Sequence, residues 1–542
     1  MKKKRYQVIA AVFLFSMAAV GCGNSAGIAA DANAAAVDTE KDADTGIDPS
    51  NLFSDRDLSG EYDAAKCDSI TLSDTGCTTD SKNVIIDGST VTVTGEGTYI
   101  VSGTLSDGMI VVDVDKSEKV QLVLNGVDLT SKSSAAIYVK KADKVFVTLA
   151  DKTENVLANG GTFAAIDDNN IDAVIFSKDD LTMNGTGTLI IDSPADHGIV
   201  SKNELVITNG TYRITAASHG MTGKDNIAIA DGSFVITAGK DAIQSQNEDD
   251  DTLGWVYIAD GDFLLNAKSD GINAINEINI AGGTITVEQA EEGLEARLIN
   301  ISGGEIEITS SDDGINATDK RSGASDVETD LNHGGMGDTQ SEANIHISGG
   351  VIRINAEGDG VDSNGYFTVS GGELYVTGPS NGGNGALDYG IDAMISGGIV
   401  VAAGQSGMAQ NFGADSTQGT ILVNTQQQNT AGSDIVLLDS EGRELVAWTM
   451  EKAYNSVVIS CPEIESGSSY TVKTGDVETR VTMDSLVYGD GFGFGGGRHD
   501  FQGGERPEGM PEPPEFENGE RPEGMPEPPE FENSGRSEGM SE

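Results

Sequence analysis

Oxygen-bearing side chains recur around glycine in a short repeated segment. One copy reads Asp270-Gly271-Ile272-Asn273-Ala274, and related forms return along the chain. The acidic set comprises the carboxylates and amides one or two residues before the glycine and two residues after it. Its members are Asp270, Asn273, Glu291, Glu292, Glu295, Asp312, Asp313, Asn316, Asp359, Asp362, Asp388 and Asp392. Hard cations take six to eight oxygen ligands of these kinds, so the acidic set predicts a calcium site.

The charge of the acidic set allows a second interpretation. If the copies stack at the normal inter-strand spacing of about 4.8 Å, carboxylates lie opposite one another and repel. Alternatively, the aspartates only initiate Asp-Gly turns in water, where their repulsion is screened. The doubled acids Glu291-Glu292 and Asp312-Asp313 favour the calcium interpretation, because they double the charge at one turn.

The spacing of the copies indicates the elements that must position them. The aligned positions are Gly198, Gly220, Ala242, Gly271, Gly293, Gly314, Gly360 and Gly390. Successive positions are 22, 22, 29, 22, 21, 46 and 30 residues apart. A second glycine marker, from Asn209-Gly210 to Gly397-Gly398, keeps step with the first. Two markers in step at a period near 22 indicate a repeat array, in which Asp392 shares a row with Asn273 and Asp362.

Each repeat contains strands only. Between residues 272 and 287, apolar residues alternate with polar ones in three short runs separated by turns, and no run is long enough for a helix. We therefore predict an all-β fold, a right-handed parallel β-helix with about 22 residues per coil. A leucine-rich repeat would need regular Leu and Asn, and a propeller blade about 40 residues.

The repeat pattern also divides the chain. The β-helix is expected over residues 66–420, with weaker coils in its N-terminal part. The 22-residue period stops after that, and residues 421–487 are expected to form a small antiparallel β unit. Such a unit would cover the open edge of the last coil, a common need of repeat arrays. The alternative role of this unit is a separate sugar-binding module.

Both ends of the chain have the composition of non-globular segments. Residues 1–22 resemble a bacterial lipoprotein signal peptide that ends in Ala19-Val20-Gly21-Cys22, which predicts lipidation of Cys22 and export to the outer face of the cell membrane. The alternative is an ordinary secretory signal with an incidental cysteine. Residues 23–65 are expected to be a flexible tether, and residues 488–542 a disordered acidic Gly/Pro-rich repeat tail.

Charge and cysteine content exclude some classes of partner. The chain has 33 Lys and Arg against 87 Asp and Glu, a net charge of −54. Such a surface attracts cations and basic partners, and it excludes general nucleic-acid binding, which depends on Lys and Arg. Besides Cys22, the chain contains Cys67, Cys77 and Cys461. Cys67 and Cys77 are close enough for a small disulfide loop, and two free thiols are the alternative.

Three insertions interrupt the period, and aromatic residues lie beside them. The insertions cover 247–251, 319–341 and 378–387. Insertions on one face of a repeat array usually mark its binding face, so we expect them to wall a groove beside the acidic set. Trp255, Tyr366 and Tyr389 lie next to these segments and are candidates for stacking on sugar rings. The alternative is that they cap the ends of the core.

Specific runs of sequence resemble a known family. The run from Gly97 to Asp151, with Ser269-Asp-Gly-Ile-Asn-Ala-Ile-Asn276 and Ser311-Asp-Asp-Gly-Ile-Asn-Ala-Thr318, is similar to secreted β-helical carbohydrate-binding lipoproteins of anaerobic bacteria. The resemblance covers roughly residues 80–490. It implies a polysaccharide-lyase-like fold, calcium binding, and association with cellulose and acidic pectic polysaccharide. The positions to which it carries over are Asp270, Asn273, Asp312, Asp313, Asn316, Asp359 and Asp362. Glu291, Glu292 and Glu295 depart from the family's Asp/Asn pattern in one coil.

The sequence leaves catalysis open and favours a protein without it. A pectate-type lyase needs a cation to acidify the proton beside the uronate carboxylate and an Arg or Lys to remove it. Arg297 is the candidate base, with a salt bridge among the surrounding acids as the alternative. His197 and His219 belong to repeats without the acidic set, which argues against a polygalacturonase.

These observations predict a monomeric, cell-surface protein that binds an extracellular polysaccharide with Ca²⁺ and without catalysis. The expected ligand is an acidic pectic glycan, cellulose or both, and the expected membrane contact is the N-terminal lipid anchor. Two alternatives remain open at this point, a weak lyase acting on polygalacturonate and a structural adhesin that contacts proteins.

Overall fold

The computed structural model describes residues 47–164, 166–322 and 342–489. The predictions for Cys22, the signal peptide and the repeat tail fall outside these ranges, as does most of the 319–341 insertion. Helix is confined, in the described ranges, to α1 (Asp55–Leu58) and two single 3₁₀ turns (Pro49–Asn51 and Lys320–Ser322). None of the helices described is long and apolar enough to cross a membrane.

The first ten strands lie before residue 160. They are β1 (Asp68–Ser73), β2 (Thr78–Thr79), β3 (Val84–Asp87), β4 (Thr90–Val93), β5 (Gly97–Leu105), β6 (Met109–Asp113), β7 (Lys119–Ser131), β8 (Ile137–Lys141), β9 (Lys144–Leu149) and β10 (Glu154–Asn159). Two local pairs, β1 with β2 and β3 with β4, are antiparallel. The longer strands pair in parallel, as β5 does with β7 and β7 with β9.

The next twenty-five strands cover the predicted repeat region. They are β11 (Ala173–Ser177), β12 (Asp180–Gly185), β13 (Thr188–Ser193), β14 (His197–Ser201), β15 (Glu204–Ile207), β16 (Thr211–Ala216), β17 (Met221–Gly223), β18 (Asn226–Ile229), β19 (Ser233–Ala238), β20 (Ile243–Ser245), β21 (Trp255–Ile258), β22 (Asp262–Asn266), β23 (Ile272–Ile280), β24 (Thr284–Ala290), β25 (Leu294–Ile301), β26 (Glu305–Ser310), β27 (Ile315–Ala317), β28 (Asn344–Ile347), β29 (Val351–Ala356), β30 (Val361–Ser363), β31 (Tyr366–Val369), β32 (Glu373–Thr377), β33 (Leu387–Tyr389), β34 (Asp392–Ile395) and β35 (Ile399–Gly404).

Parallel pairing arranges these strands in three series. The first series contains β8, β11, β14, β17, β20, β23, β25, β27, β30 and β33. The second contains β9, β12, β15, β18, β21, the C-terminal halves of β23 and β25, β28, β31 and β34. The third contains β10, β13, β16, β19, β22, β24, β26, β29, β32 and β35. All belong to one 38-stranded, mostly parallel sheet.

Alternation of side chains builds the core. In β26, Ile306 and Ile308 are buried while Glu305 and Glu307 are exposed. The same alternation in successive strands stacks Ile, Val, Leu and Phe into one continuous apolar cluster. Residues Tyr212, Phe234 and Phe263 stack with ring centroids 5.0 and 4.6 Å apart inside it. The core therefore continues from one strand of a series to the next and leaves the polar rows outside.

Glycine is required where the turns between series approach each other. Gly304 has φ of +93°, and a Cβ there would lie 2.9 Å from the carbonyl oxygen of Gly283 in the preceding turn. A side chain at Gly304 would thus be strained by its backbone conformation and crowded by its neighbour. The double-glycine marker of the sequence corresponds to these turns.

The C-terminal part of the described chain adds antiparallel strands. They are β36 (Thr420–Asn429), β37 (Asp434–Leu438), β38 (Glu444–Thr449), β39 (Tyr454–Ser460), β40 (Ser469–Thr474), β41 (Val477–Thr482) and β42 (Val487–Tyr488). Strand β39 pairs antiparallel with β35 at the end of the third series. Strands β38, β37, β40 and β41 form a separate four-stranded antiparallel sheet. A small antiparallel unit therefore follows the parallel sheet, as the loss of the period predicts.

Part of the expected tether contacts the sheet. Asp57 in α1 is buried, and its carboxylate lies 2.9 Å from the Lys144 ammonium. It also accepts a hydrogen bond of 2.6 Å from Thr182. The guanidinium of Arg56 lies 4.4 Å from the centre of the Phe146 ring. Residues 54–60, which we call the N-terminal strap, are therefore held on the second strand series rather than free.

Cys67, Cys77 and Cys461 are free thiols. The β1–β2 register pairs Thr71 with Thr78, which sets Cys67 and Cys77 at different levels along the hairpin. Of the two alternatives that the sequence leaves open, the structure has the free thiols.

Candidate functional site

Strand register determines which members of the acidic set share a row. The outward row of the first series runs Asn273, Glu295, Asn316, Asp362, Asp388, with each residue directly paired to the next. The row just before each aligned glycine contains Asp270, Glu292, Asp313 and Asp359. The backbone carbonyl of each accepts a hydrogen bond from the aligned Gly, or from Ala242 for Asp270, of the preceding strand.

The sequence alignment is wrong for Asp392. This residue begins β34 in the second series and pairs with Tyr366. Asp388 takes the position expected for Asp392, because the 378–387 insertion lies before the strand and shifts its register. The segment Tyr389-Gly390-Ile391-Asp392-Ala393 imitates the repeat in sequence and differs from it in pairing.

One carboxylate cluster, the first cluster, consists of Asp270, Glu292 and Glu295. Each offers a carboxylate oxygen within 4.8 Å of the others. Asp270 and Glu295 are buried, and the Asn273 amide bridges them with contacts of 2.6 and 2.5 Å. The register of β23 and β25 produces this approach, since it sets Asn273 directly beside Glu295.

Two acceptor atoms at the first cluster lack a donor among the described residues. They are Oε2 of Glu292 and Oδ1 of Asn316, both closed to solvent. The other ends of the same side chains meet, because Nδ2 of Asn316 donates to Oε1 of Glu292 at 3.1 Å. A buried acceptor without a partner is costly, and a cation is one group that would satisfy both oxygens. The oxygen-only donor set suits a hard cation such as Ca²⁺.

The second cluster consists of Asp313, Asp359 and Asp362, whose carboxylate oxygens also lie within 4.8 Å of one another. Asp313 accepts a hydrogen bond of 2.6 Å from the Asp359 backbone N–H, and Asp359 accepts one from the Gly385 N–H. Gly358 lies against the site, where a Cβ would come within 2.4 Å of the Asp313 carboxylate. Backbone donors and a glycine therefore hold three carboxylates together.

Crowding raises the pKa values of both clusters. Burial and the neighbouring Glu295 raise the pKa of Asp270 to about 8 and that of Glu292 to about 10. Burial, with adjacent carboxylates, raises the pKa of Asp313 to about 7 and that of Asp359 to about 8. The pKa of Asp362 is raised well above its ordinary value by the same causes. Each of these carboxyl groups holds its proton more tightly than an exposed acid does, and a bound cation would offset the gathered negative charge.

Lys320 supplies a positive charge that the sequence analysis did not assign. Its ammonium lies 2.6 Å from the buried carboxylate of Glu295. Burial works to lower the pKa of Lys320, but the Glu295 carboxylate outweighs it and the pKa is raised. Lys320 could have been identified as a candidate from the sequence, because it follows the Asp313 copy of the repeat at the start of an insertion.

The remaining acids of the set stand outside the two clusters. Glu291 and Asp312 are exposed at the turns before them, and Asp388 accepts a hydrogen bond from Gln410. Glu291 and Asp312 could still contribute to the local charge, and Asn273 and Asn316 supply amide groups beside the first cluster.

Arg297, the candidate base, is engaged by an amide. Its Nε and Nη2 donate to Oδ1 of Asn276 at 3.1 and 2.6 Å, and Nη1 lies 3.7 Å from Glu342. Two donors on one acceptor hold the guanidinium in place beside the first cluster. This arrangement matches the alternative in which Arg297 forms a salt bridge instead of acting as a base.

The three aromatic candidates are separated. Trp255 and Tyr366 stand in one row of the second series with three strands between them, which carry Glu277, Leu298 and Asn344 at that position. Tyr389 lies in the first series, packs against the main core, and donates a 2.7 Å hydrogen bond to the Asn411 carbonyl. Trp255 and Tyr366 are half-buried and keep part of their rings at the surface.

Comparison with known proteins gives three matches. A family model described as carbohydrate-binding domain-containing protein matches residues 87–334 and 320–509. A carbohydrate-binding domain-containing protein of Acetivibrio thermocellus is 41% identical over 128 residues, which is 23% of this chain and 45% of that protein. The chain thus matches less than half the length of this curated relative. The polysaccharide lyase-like protein from C. thermocellum, solved as a gadolinium derivative, matches with 30% identity and a TM-score of 0.40, covering 46% of this chain and 97% of that one.

Proposed function

This chain belongs to the carbohydrate-binding domain-containing protein family, whose model matches most of its length, and on that premise we propose that it binds an acidic polysaccharide with the help of Ca²⁺. The two carboxylate clusters would hold the cation. The bound cation supplies positive charge to a surface that otherwise repels acidic sugars. Cellulose is a second candidate ligand and would depend less on calcium, because it carries no charge.

One observation carries the calcium part of the proposal. Glu292 and Asn316 each keep a buried oxygen without a donor at a cluster of three carboxylates. Asp-Gly turns in water would leave these oxygens solvated, whereas here they are closed to solvent. A cation-binding site accounts for both the missing donors and the gathered charge.

The architecture that supports this function is proposed to be a right-handed parallel β-helix. The three series of parallel strands, joined by short turns and offset by about one 22-residue repeat, support this arrangement. Such an array places equivalent residues of successive repeats in rows along its axis. An elongated polysaccharide could then contact several repeats of one row at once.

The cellular setting remains part of the proposal. A lipid on Cys22 would anchor the chain at the outer face of the bacterial membrane, and residues 23–46 would carry the sheet away from the bilayer. A monomer suits this role because the rows need no second copy to form the clusters.

The proposal is tested by measuring affinity for oligogalacturonate and for a cello-oligosaccharide, each in millimolar Ca²⁺ and in chelator. The test variant, Glu292→Gln with Asp313→Asn, removes one carboxylate from each of the two clusters. The control, Asp192→Asn with Asp262→Asn, makes the same charge change on exposed positions of the third series.

We expect Ca²⁺ to strengthen oligogalacturonate binding by about tenfold or more, the equivalent of about 1.4 kcal/mol. The test variant should lose that gain and the control should keep it. Equal affinity in Ca²⁺ and in chelator would contradict calcium dependence. A failure to bind any glycan in either condition would contradict the proposed function itself.

A further inference from the structure

The two rows that carry the acidic clusters continue toward the N-terminus with different chemistry. In the row before the aligned glycine, Asp270 is preceded by Asp241, His219 and His197 in successive strands. In the outward row, Asn273 is preceded by Gln244, Thr222 and Val200. Apart from Asp241, whose carboxylate contacts His219, the rows at β14, β17 and β20 present neutral and basic groups where those at β23 to β30 present mostly carboxylates.

Lysines form a row of their own on the same strands. The register of the first series aligns four lysines, one at or just after the C-terminal end of each of β8, β11, β14 and β17. They are Lys140, Lys178, Lys202 and Lys224. The backbone N–H groups of Lys178, Lys202 and Lys224 donate to the preceding strand in the same register. Neighbouring strands are about 4.8 Å apart, so these four positions make a lysine row along the sheet. Lysines are scarce in this chain, which makes four in register informative.

A groove of about 440 Å³ opens beside this row. Its lining includes His197, His219, Thr222 and three lysines, Lys202, Lys224 and Lys240. Small-molecule sites usually measure about 300–1,000 Å³. The groove is thus large enough for a sugar residue and is bordered by cations in a chain of net charge −54.

The charges of the groove are only partly neutralised. Glu248 and Asp249 also line it, and the Lys224 ammonium lies 2.7 Å from Asp249. That aspartate is 80% exposed, and exposed ion pairs are weak, so an incoming anion could displace it. Lys202 lies 3.7 Å from Asp172. Lys240 has no carboxylate oxygen within 4 Å in the described chain, despite the acidic excess.

The back of the groove is rigid and provides polar groups. The imidazole rings of His197 and His219 stack with centroids 5.0 Å apart, and the His219 backbone N–H donates to Nδ1 of His197. His219 is buried beside Asp241, with 3.1 Å between Nδ1 and the carboxylate. The Thr222 hydroxyl is closed to solvent and has no partner among the described residues. The two stacked histidines thus form a fixed wall of the groove.

Resting on the proposed carbohydrate-binding function, we infer that this groove binds an anionic sugar residue of the polysaccharide directly, without a metal. The recognised chemistry is an oxyanion on a sugar, either a uronate carboxylate or a sulfate ester. Lys202, Lys224 and Lys240 neutralise it, and the lysine row guides the neighbouring anionic residues. A single polyanionic chain lying along the face would then meet ammonium groups at one end and the carboxylate clusters at the other.

The experiment measures binding in chelator, where the proposed calcium site cannot contribute. The variant replaces Lys202, Lys224 and Lys240 with Gln, which removes the charge and keeps much of each side-chain stem. The control replaces Lys66, Lys119 and Lys473 with Gln, three lysines paired with Asp63, Asp143 and Glu478 away from the groove. Oligogalacturonate, a sulfated galactan oligomer and a cello-oligosaccharide serve as ligands, and melting temperatures establish that each variant folds.

We expect the parent to bind an anionic oligomer in chelator and the groove variant to bind it about tenfold or more weakly, because the variant loses three charged donors to the anion. The control should bind like the parent, and added salt should weaken parent binding. Stronger binding of the carboxylated or of the sulfated oligomer identifies the source of the anion. Equal binding by parent and groove variant, or no binding by the parent in chelator, overturns the inference. If the parent still binds the anionic oligomer in Ca²⁺ in either of these cases, the groove inference fails and the proposed function is retained.

Discussion

At the scale of single residues, Glu292 has the most strongly altered acid chemistry of those carboxyl groups whose shifted pKa can be given a value. It lies within 4.8 Å of Asp270 and Glu295 and keeps one oxygen without a donor. Burial raises its pKa to about 10, with the adjacent carboxylates adding to the effect. An unfolded chain would ionise it near an ordinary glutamate pKa of about 4.3. Protons and a cation therefore compete for the same oxygens.

This competition predicts how stability depends on pH. In chelator, the folded state holds protons on Glu292, Asp270 and Asp359 that the unfolded state has released, so the free energy of unfolding falls as pH rises. The stabilising contribution is complete below the ordinary pKa and is lost as pH rises through about 8 to 10. We expect the melting temperature in chelator to fall between pH 5 and pH 9. Added Ca²⁺ should raise the melting temperature most at the higher pH.

Calorimetry of Glu292→Gln separates this site from the general acidity of the chain. In chelator, the melting temperature of the variant should fall less steeply with rising pH than that of the parent. Glu288→Gln, an exposed change on neighbouring β24, should behave like the parent. Identical pH profiles for all three proteins would contradict the assignment of the proton to Glu292.

At the scale of elements, the N-terminal strap shows how a short segment can be fixed to a large sheet. The capping box of α1 joins Ser54 and Asp57, and the same Asp57 carboxylate pairs with the buried Lys144 of β9. The carbonyl of Asp57 also accepts a hydrogen bond of 2.7 Å from Thr208. Asp57 thus caps the N-terminal end of α1 and also anchors the strap to the sheet, so the strap should be released as a unit.

Asp57→Ala should release the strap and destabilise the protein by about 3 kcal/mol, because it removes one partner of a buried pair and leaves Lys144 only its longer, 3.5 Å contact with Glu204. Hydrogen exchange at residues 54–60 and denaturant unfolding measure the two effects. Asp55→Ala, on the same short helix and exposed, is the matched control. Unchanged exchange in Asp57→Ala would show that the strap is held by other contacts.

At the scale of the whole molecule, one end of the first strand series has lysines, beside Glu248 and Asp249, and the other end has the carboxylate clusters. Lysines and histidines border the groove beside β14 and β17, while carboxylates gather beside β23 to β30. Because both regions belong to the first strand series, they lie along one direction of the parallel sheet. To bind an extracellular polysaccharide, this face of the sheet would have to point away from the bilayer. The proposed anchor at Cys22 would allow that orientation.

The proposed lipid anchor is tested by changing Cys22 to Ala and measuring how the protein divides between the membrane fraction and the medium. Loss of the lipid should release the protein or block processing of the signal peptide. Cys461→Ala is the control cysteine change, since Cys461 is buried far along the chain from the signal. Normal cleavage of Cys22→Ala with unchanged membrane retention would rule out lipid anchoring.

Local periodicity by itself determined much of the fold. The 22-residue spacing and the alternation of apolar residues predict the all-β composition, the parallel strand series and the antiparallel unit after residue 420. They also bring Asp270, Glu292 and Glu295 to neighbouring rows, because parallel strands of equal repeat length pair like with like. Asp313, Asp359 and Asp362 follow by the same rule, although a long insertion separates their strands.

Tertiary structure alone decided the contacts that no period encodes. An insertion gives Asp388 the place expected for Asp392, since hydrogen-bond register and not sequence likeness selects the partner strand. Lys144 meets Asp57 from a distant part of the chain, and Lys240 joins Lys202 and Lys224 from a different row. Repeat spacing reports which residues share a row, whereas the distance between rows depends on turns, insertions and burial. For that reason the acidic rows could be predicted from the sequence, and the strap and the cationic groove required the folded chain.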